Sequence, residues 1–130
     1  MEAWKVHKFG GSSVADAACM ERVAQIIEGD PALRKAVVLS ACRGVTDALL
    51  NLVALAERQD PSLEDRVQEL RQRHVGIARE LLTDDLYDDF VVDLDQDCRD
   101  IGGILQTVRL VRAASTTLRD LIAGYGEIWS

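Results

Sequence analysis

The sequence predicts an α/β fold in which parallel strands alternate with helices. Two short strand-like segments carry this prediction, the alternating Trp4–Phe9 and the apolar Ala36–Ala41. Each runs into a glycine-bearing loop, Gly10-Gly11-Ser12-Ser13 in the first case and Cys42-Arg43-Gly44-Val45-Thr46 in the second. An amphipathic helical pattern follows each loop. Strand–helix–strand–helix order joins neighbouring parallel strands through a right-handed crossover. Open sheets of that kind bind ligands in the loops at the carboxyl ends of their strands.

The 130 residues are 48% hydrophobic and 28% charged, the composition of one globular domain long enough to bury a core. The net charge is −7 and no Lys/Arg run occurs, which argues against nucleic acid or an anionic membrane as partner. An anionic substrate would then need local positive charge. No apolar run approaches the roughly 18 residues of a membrane span, and the N-terminus lacks the apolar stretch of a signal peptide. Cys19, Cys42 and Cys98 have neither pairing nor metal-ligand spacing. Three thiols suit a reducing compartment, and the cytoplasm is the expected one.

Trp4–Phe9 alternates roughly as a strand does. His7 is expected on its other face, as a strand residue rather than a catalytic base. Lys8 sits at the strand end, where its ammonium could reach a phosphoryl oxygen. Gly10 and Gly11 would let the backbone approach a bulky anion without interference from a β-carbon. Backbone N–H groups and the dipole at a helix start favour the same anion. The stretch is neither the Walker loop nor the dinucleotide fingerprint. A strand-to-helix turn that merely needs glycine would look the same. Asp16 is the expected N-cap of a helix over 17–28, with Met20, Val23, Ala24 and Ile27 as its apolar stripe. Gly29 and Asp30-Pro31 end it.

Ala36–Ala41 is short, continuous and β-branched, so it reads as a buried parallel strand. The next helix carries Leu49, Leu52, Val53 and Ala56 on one face. Thr46 reads as the N-cap of that helix, and a capping hydroxyl can also face a pocket. Cys42 is expected to be a small filler, since no base is identifiable beside it. Pro61 opens a long helix on which Leu63, Val67, Leu70, His74, Ile77 and Leu81 step by threes and fours. His74 is expected in the core or at its boundary. Thr83-Asp84-Asp85 breaks the pattern. Phe90, Leu94, Cys98, Ile101, Leu105 and Val108 then mark a second long helix. Gly102-Gly103 within it is expected to permit close helix packing. The aspartates between Asp84 and Asp97 lack calcium-loop spacing and read as a solvated face. Ser115 should cap a last helix with Leu118, Leu121 and Ile122 turned inward. Taken alone, Glu127 is an ordinary acid of a helical first turn.

Three of these stretches together resemble the aspartokinases, within the amino-acid-kinase fold family. Lys8-Phe9-Gly10-Gly11-Ser12-Ser13-Val14 is similar to the K-F-G-G-[ST]-S-V motif that ends their first strand. Val37-Val38-Leu39-Ser40-Ala41, with its loop ending in Gly44-Val45-Thr46, is similar to their V-V-L-S-A strand and Gly-[IV]-Thr loop. Gly126-Glu127-Ile128-Trp129-Ser130 resembles their Gly-Glu-x-x-Ser motif, which is expected to open a helix. The two long helices resemble the antiparallel helical excursion of the same family.

The resemblance implies the N-terminal fragment of a three-layer α/β/α, carbamate-kinase-like fold. Loops and strands would occupy 4–58, a helical excursion 61–112, and the start of a substrate-binding helix 115–130. The implied reaction transfers the γ-phosphoryl group of ATP, with Mg²⁺, to the β-carboxylate of L-aspartate. The product, 4-phospho-L-aspartate, opens lysine, threonine and methionine biosynthesis. By resemblance Lys8 is the catalytic cation, Gly10 and Gly11 bind phosphate through their N–H groups, and Ser13 supports the phosphates or the substrate carboxylate. Ser40, Ala41 and Thr46 would line the aspartate site, and Glu127 would bind the α-ammonium by a charge-assisted bond. No metal ligand is assigned. The ending from Gly124 to Ser130 is most similar to aspartokinases fused to homoserine dehydrogenase. The nucleotide-base pocket and effector-binding ACT domains would lie beyond residue 130. This piece alone is therefore expected to be inactive, and to form a homo-oligomer through its uncovered strand edges and apolar faces. The alternatives are another amino-acid kinase, acting on acetylglutamate or glutamate, and a non-catalytic module of the same fold.

Overall fold

The structure is a computed structural model and describes residues 3–130. Two strands, β1 (Lys5–Phe9) and β2 (Lys35–Leu39), pair in parallel, with Lys5 opposite Lys35 and Phe9 opposite Leu39. Between them lie a 3₁₀ turn, Gly11–Val14, and helix α1 (Ala17–Gly29). Four helices follow: α2 (Val45–Glu57), α3 (Leu63–Leu81), α4 (Asp84–Val111) and α5 (Thr116–Trp129). The chain is mostly helical, and its two strands are parallel as expected.

The helix ends follow local chemistry. The Asp16 carboxylate accepts from the Cys19 N–H at 2.8 Å, and the Ser115 hydroxyl accepts from the Leu118 N–H at 3.1 Å. Caps of this kind contribute about 1 kcal/mol each. α2 is capped differently. Gly44 takes a left-handed φ of 80° at its N-cap, so Thr46 is the second residue of the helix and not its cap. A β-carbon at Gly44 would be strained at that angle.

The core lies among the helices, away from the sheet. Leu49, Leu52, Val53 and Ala56 of α2 are buried as their spacing predicts, and they meet Leu70 and Val75, Leu94 to Val108, and Ile122 and Trp129. Each fully buried Leu or Ile contributes about 1.5–3 kcal/mol. α3 and α4 form an antiparallel hairpin in which Arg71 meets Asp95 and Arg79 meets Tyr87.

Four expectations need correction. β2 is not buried: Val37 and Val38 are 41% and 47% exposed, because strand side chains project from the sheet faces and, among the described residues, no helix packs extensively over β2. Gly102 and Gly103 are exposed and no atom crowds them. Gly102 borders a groove of about 330 Å³ between α3 and α4 instead of permitting a close approach. Leu121 points outward at 55% exposure, while Ile122 beside it is fully buried. Gly126 and Glu127 lie in the last turn of α5, not at a helix start, so Glu127 is no first-turn acid. No helix among the described residues is long and apolar enough to cross a membrane.

His7 is held by structure. Its Nε2 lies 2.8 Å from the Asp30 carboxylate, which also pairs with the Lys5 ammonium at 2.6 Å. This ties the end of α1 to β1. The Lys5 ammonium first, then the Ala32 N–H and His7, hold the Asp30 carboxyl at about 2.

Candidate functional site

Parallel pairing sets the two loops side by side at the carboxyl ends of β1 and β2. The ladder continues one step, with the Ser40 N–H donating to the Phe9 carbonyl at 3.1 Å. The loops then touch. A β-carbon on Gly11 would lie 3.1 Å from the Ala41 carbonyl oxygen and 3.5 Å from the Arg43 Cα. Loop packing therefore favours glycine at position 11, whether or not an anion approaches. Gly10 has open space where a β-carbon would stand, and its carbonyl accepts from the Ser13 N–H at 3.0 Å.

α5 closes the third side. Gly126 packs against Ala41 and Val45, which brings Glu127 to the mouth of the second loop. The result is a cavity of about 340 Å³ lined by Gly11, Ser40, Ala41, Cys42, Arg43, Gly44, Thr46, Asp47 and Glu127. It holds two hydroxyls, two carboxylates and one guanidinium. That set can receive a zwitterion, with an ammonium at the carboxylates and a carboxylate at the guanidinium and hydroxyls. Burial pushes the Cys42 thiol up, so it stays protonated, in keeping with a filler.

Five sequence-predicted residues meet here: Gly11, Ser40, Ala41, Thr46 and Glu127. Three do not line this cavity. Ser13 borders a separate cavity of about 210 Å³ with Phe9, Cys19 and Arg22, against α1. Gly10 is exposed beside Gly11. Lys8 is exposed on the strand face opposite His7 and Phe9, across from Val38. Among the described residues it makes no side-chain hydrogen bond or ion pair.

Sequence reading overlooked Arg43, Asp47 and Arg73. Asp47 follows Thr46 in the first turn of α2, and that position was its only local signal. Arg73 reaches both loops from α3, 30 and 58 residues away in the chain, a distance no local pattern reports. Among the described residues no group of three or more His, Cys, Asp or Glu side chains converges as a metal site would.

The Amino acid kinase family matches residues 3–128. The chain is 35% identical over 129 residues to the chloroplastic bifunctional aspartokinase/homoserine dehydrogenase 2 of Arabidopsis thaliana, which covers 99% of this chain and 14% of that protein. It is 31% identical over 134 residues to bifunctional aspartokinase/homoserine dehydrogenase 2 of Escherichia coli K12, covering 97% of this chain and 15% of that one. Among solved structures, E. coli aspartokinase III in complex with aspartate and ADP is similar at a TM-score of 0.81 and 31% identity, over 98% of this chain and 27% of that one. The chain thus spans about one seventh of the length of these curated relatives.

Proposed function

This chain belongs to the amino acid kinase family, and from that premise we propose that it supplies one phosphate loop and the aspartate-facing wall of an aspartokinase active site. One observation supports this most. Residues far apart in sequence, Gly11, Ser40, Thr46 and Glu127, line a single cavity at the carboxyl ends of two parallel strands. The aspartate and ADP of the E. coli aspartokinase III structure are the ligand pair we carry over to this chain.

The proposed reaction moves the ATP γ-phosphoryl group to the β-carboxylate of L-aspartate. Both substrates are anionic, so catalysis is mainly positioning and charge neutralisation. Glu127 receives the α-ammonium. Ser40 and Thr46 donate hydroxyl hydrogen bonds to a substrate carboxylate, with Ala41 as the wall between them. Gly10 and Gly11 offer N–H groups to phosphate, Ser13 supports them, and the Lys8 ammonium neutralises the transferring group. Mg²⁺ would arrive with ATP and neutralise part of its phosphate charge. Fusion to homoserine dehydrogenase and a role in lysine, threonine and methionine biosynthesis belong to the same proposal, supported by the bifunctional relatives. The free thiols of its three cysteines support a cytoplasmic location. Self-association is part of the proposal, because Trp4, Val6 and Val38 on and beside the sheet are exposed.

The test is Lys8→Ala in a full-length protein carrying this chain. Turnover with ATP, Mg²⁺ and aspartate should fall about 10²–10³-fold with little change in KM for aspartate. Unchanged turnover would refute the role of Lys8. Activity on glutamate or acetylglutamate in place of aspartate would refute the substrate. The 130-residue chain alone should show no turnover, since transfer needs both substrates held in line.

A further inference from the structure

We propose that Arg73 is a positioning residue that holds the two loops of the cavity at a set separation, a role that rests on reading that cavity as a substrate site. Its Nη1 donates to the Arg43 carbonyl oxygen at 2.7 Å, and its Nη2 donates to the Ala15 carbonyl oxygen at 3.0 Å. Arg43 belongs to the loop after β2 and lines the cavity, while Ala15 caps the 3₁₀ turn that begins at Gly11. One planar group from α3 therefore spans both loops. The guanidinium fork fixes the distance between the two acceptors, which a lysine ammonium on a flexible stem cannot do.

The choice of acceptors sets Arg73 apart from its neighbours. Arg71 meets Asp95, and Arg119 meets Glu57 at 2.6 Å. Arg73 meets two backbone carbonyls and, among the described residues, no carboxylate. Its positive charge is left uncompensated beside a cavity read as taking anions.

The bond also orients the backbone. In a trans peptide the N–H points opposite to the C=O. Drawing the Arg43 carbonyl toward α3 turns the following N–H, that of Gly44, the other way. Gly44 lines the cavity, and among the described residues its N–H has no backbone partner. Arg73 thus sets both the loop separation and the direction of one free donor. The Ser40–Phe9 hydrogen bond and the Gly11–Ala41 approach also tie these loops.

Hydrogen exchange on the 130-residue chain tests the clamp without any substrate. It is read at residues 10–14 and 42–44, with the buried middle of α4 as internal reference. Arg73→Met should speed exchange in both loops about tenfold and leave α4 unchanged. Arg73→Lys should loosen one loop and spare the other. Unchanged loops would overturn the proposal. So would a rise in α4 equal to that in the loops, which marks a general loss of stability. Where Arg73→Met does not fold, Arg73→Gln and Arg73→Lys carry the same comparison. In a full-length protein carrying this chain, Arg73→Met should lower kcat/KM for aspartate about tenfold, with part of the loss recovered by Arg73→Lys. Loosened loops with unaltered kinetics would overturn the positioning role alone. A wild-type protein that phosphorylates no aspartate would refute the proposed function instead, and the positioning role with it.

Discussion

Gly126 stands so close to Ala41 that a β-carbon on Gly126 would lie 2.8 Å from the Ala41 Cβ, and 3.2 Å from the Val45 Cγ1. Neither neighbour can retreat easily, since Ala41 is in a tight loop and Val45 is fully buried at the start of α2. Gly126→Ala should therefore push α5 away from the loop. Overpacking of this kind costs about 1–3 kcal/mol. Urea titration should show that loss as a lowered midpoint, and a variant as stable as the wild type would mean the helix shifts freely.

The same contact fixes where Glu127 stands. In a full-length protein carrying this chain, Glu127→Gln and Thr46→Val should each raise KM for aspartate about tenfold, the effect of roughly 1–2 kcal/mol from one lost polar partner. KM for ATP should hardly move. A raised ATP value with an unaltered aspartate value would show that the two substrate sites are exchanged.

His74 gives a test in the neutral range. It is 2% exposed, its Nδ1 donates to the Leu70 carbonyl at 2.7 Å, and among the described residues its Nε2 has no partner. It stands edge-on to Trp129, with ring centroids 5.0 Å apart. Burial, with the Arg73 cation adding to it, lowers its pKa below the ordinary 6.5. The unfolded chain therefore takes up a proton that the folded chain resists. Stability is fully present above about 6.5 and is lost as pH falls through the folded value. His74→Phe should flatten the fall of the urea midpoint as pH drops below 6.5, and an equally steep fall in that variant would assign the effect elsewhere.

Asp30 acts at lower pH. Its carboxyl is held at about 2 in the folded chain against an ordinary 3.8. The stability it contributes is present above about 3.8 and is lost as pH falls toward 2. Asp30→Asn should remove that slope and loosen β1 from the end of α1, seen as faster hydrogen exchange at His7 and Lys35. A slope that persists in the variant would mean other carboxylates carry it.

Periodicity along the chain determined much of the structure. The stripes of α2, α3 and α4, the caps at Asp16 and Ser115, and the order of two strands and five helices were legible because each depends on residues within a turn or two of one another. The motif residues Gly11, Ser40, Ala41, Thr46 and Glu127 were legible through resemblance, and the structure brings them to one cavity. Tertiary structure alone decided the rest. Val37 and Val38 look like a buried strand in sequence, yet burial depends on which layers cover them. Gly102 looks like a packing glycine, but only the neighbouring helix determines whether space is closed or open there. Arg73 has no sequence signal at all. Its two carbonyl partners lie 30 and 58 residues away, and hydrogen bonds of that reach exist only after α3 has docked beside both loops.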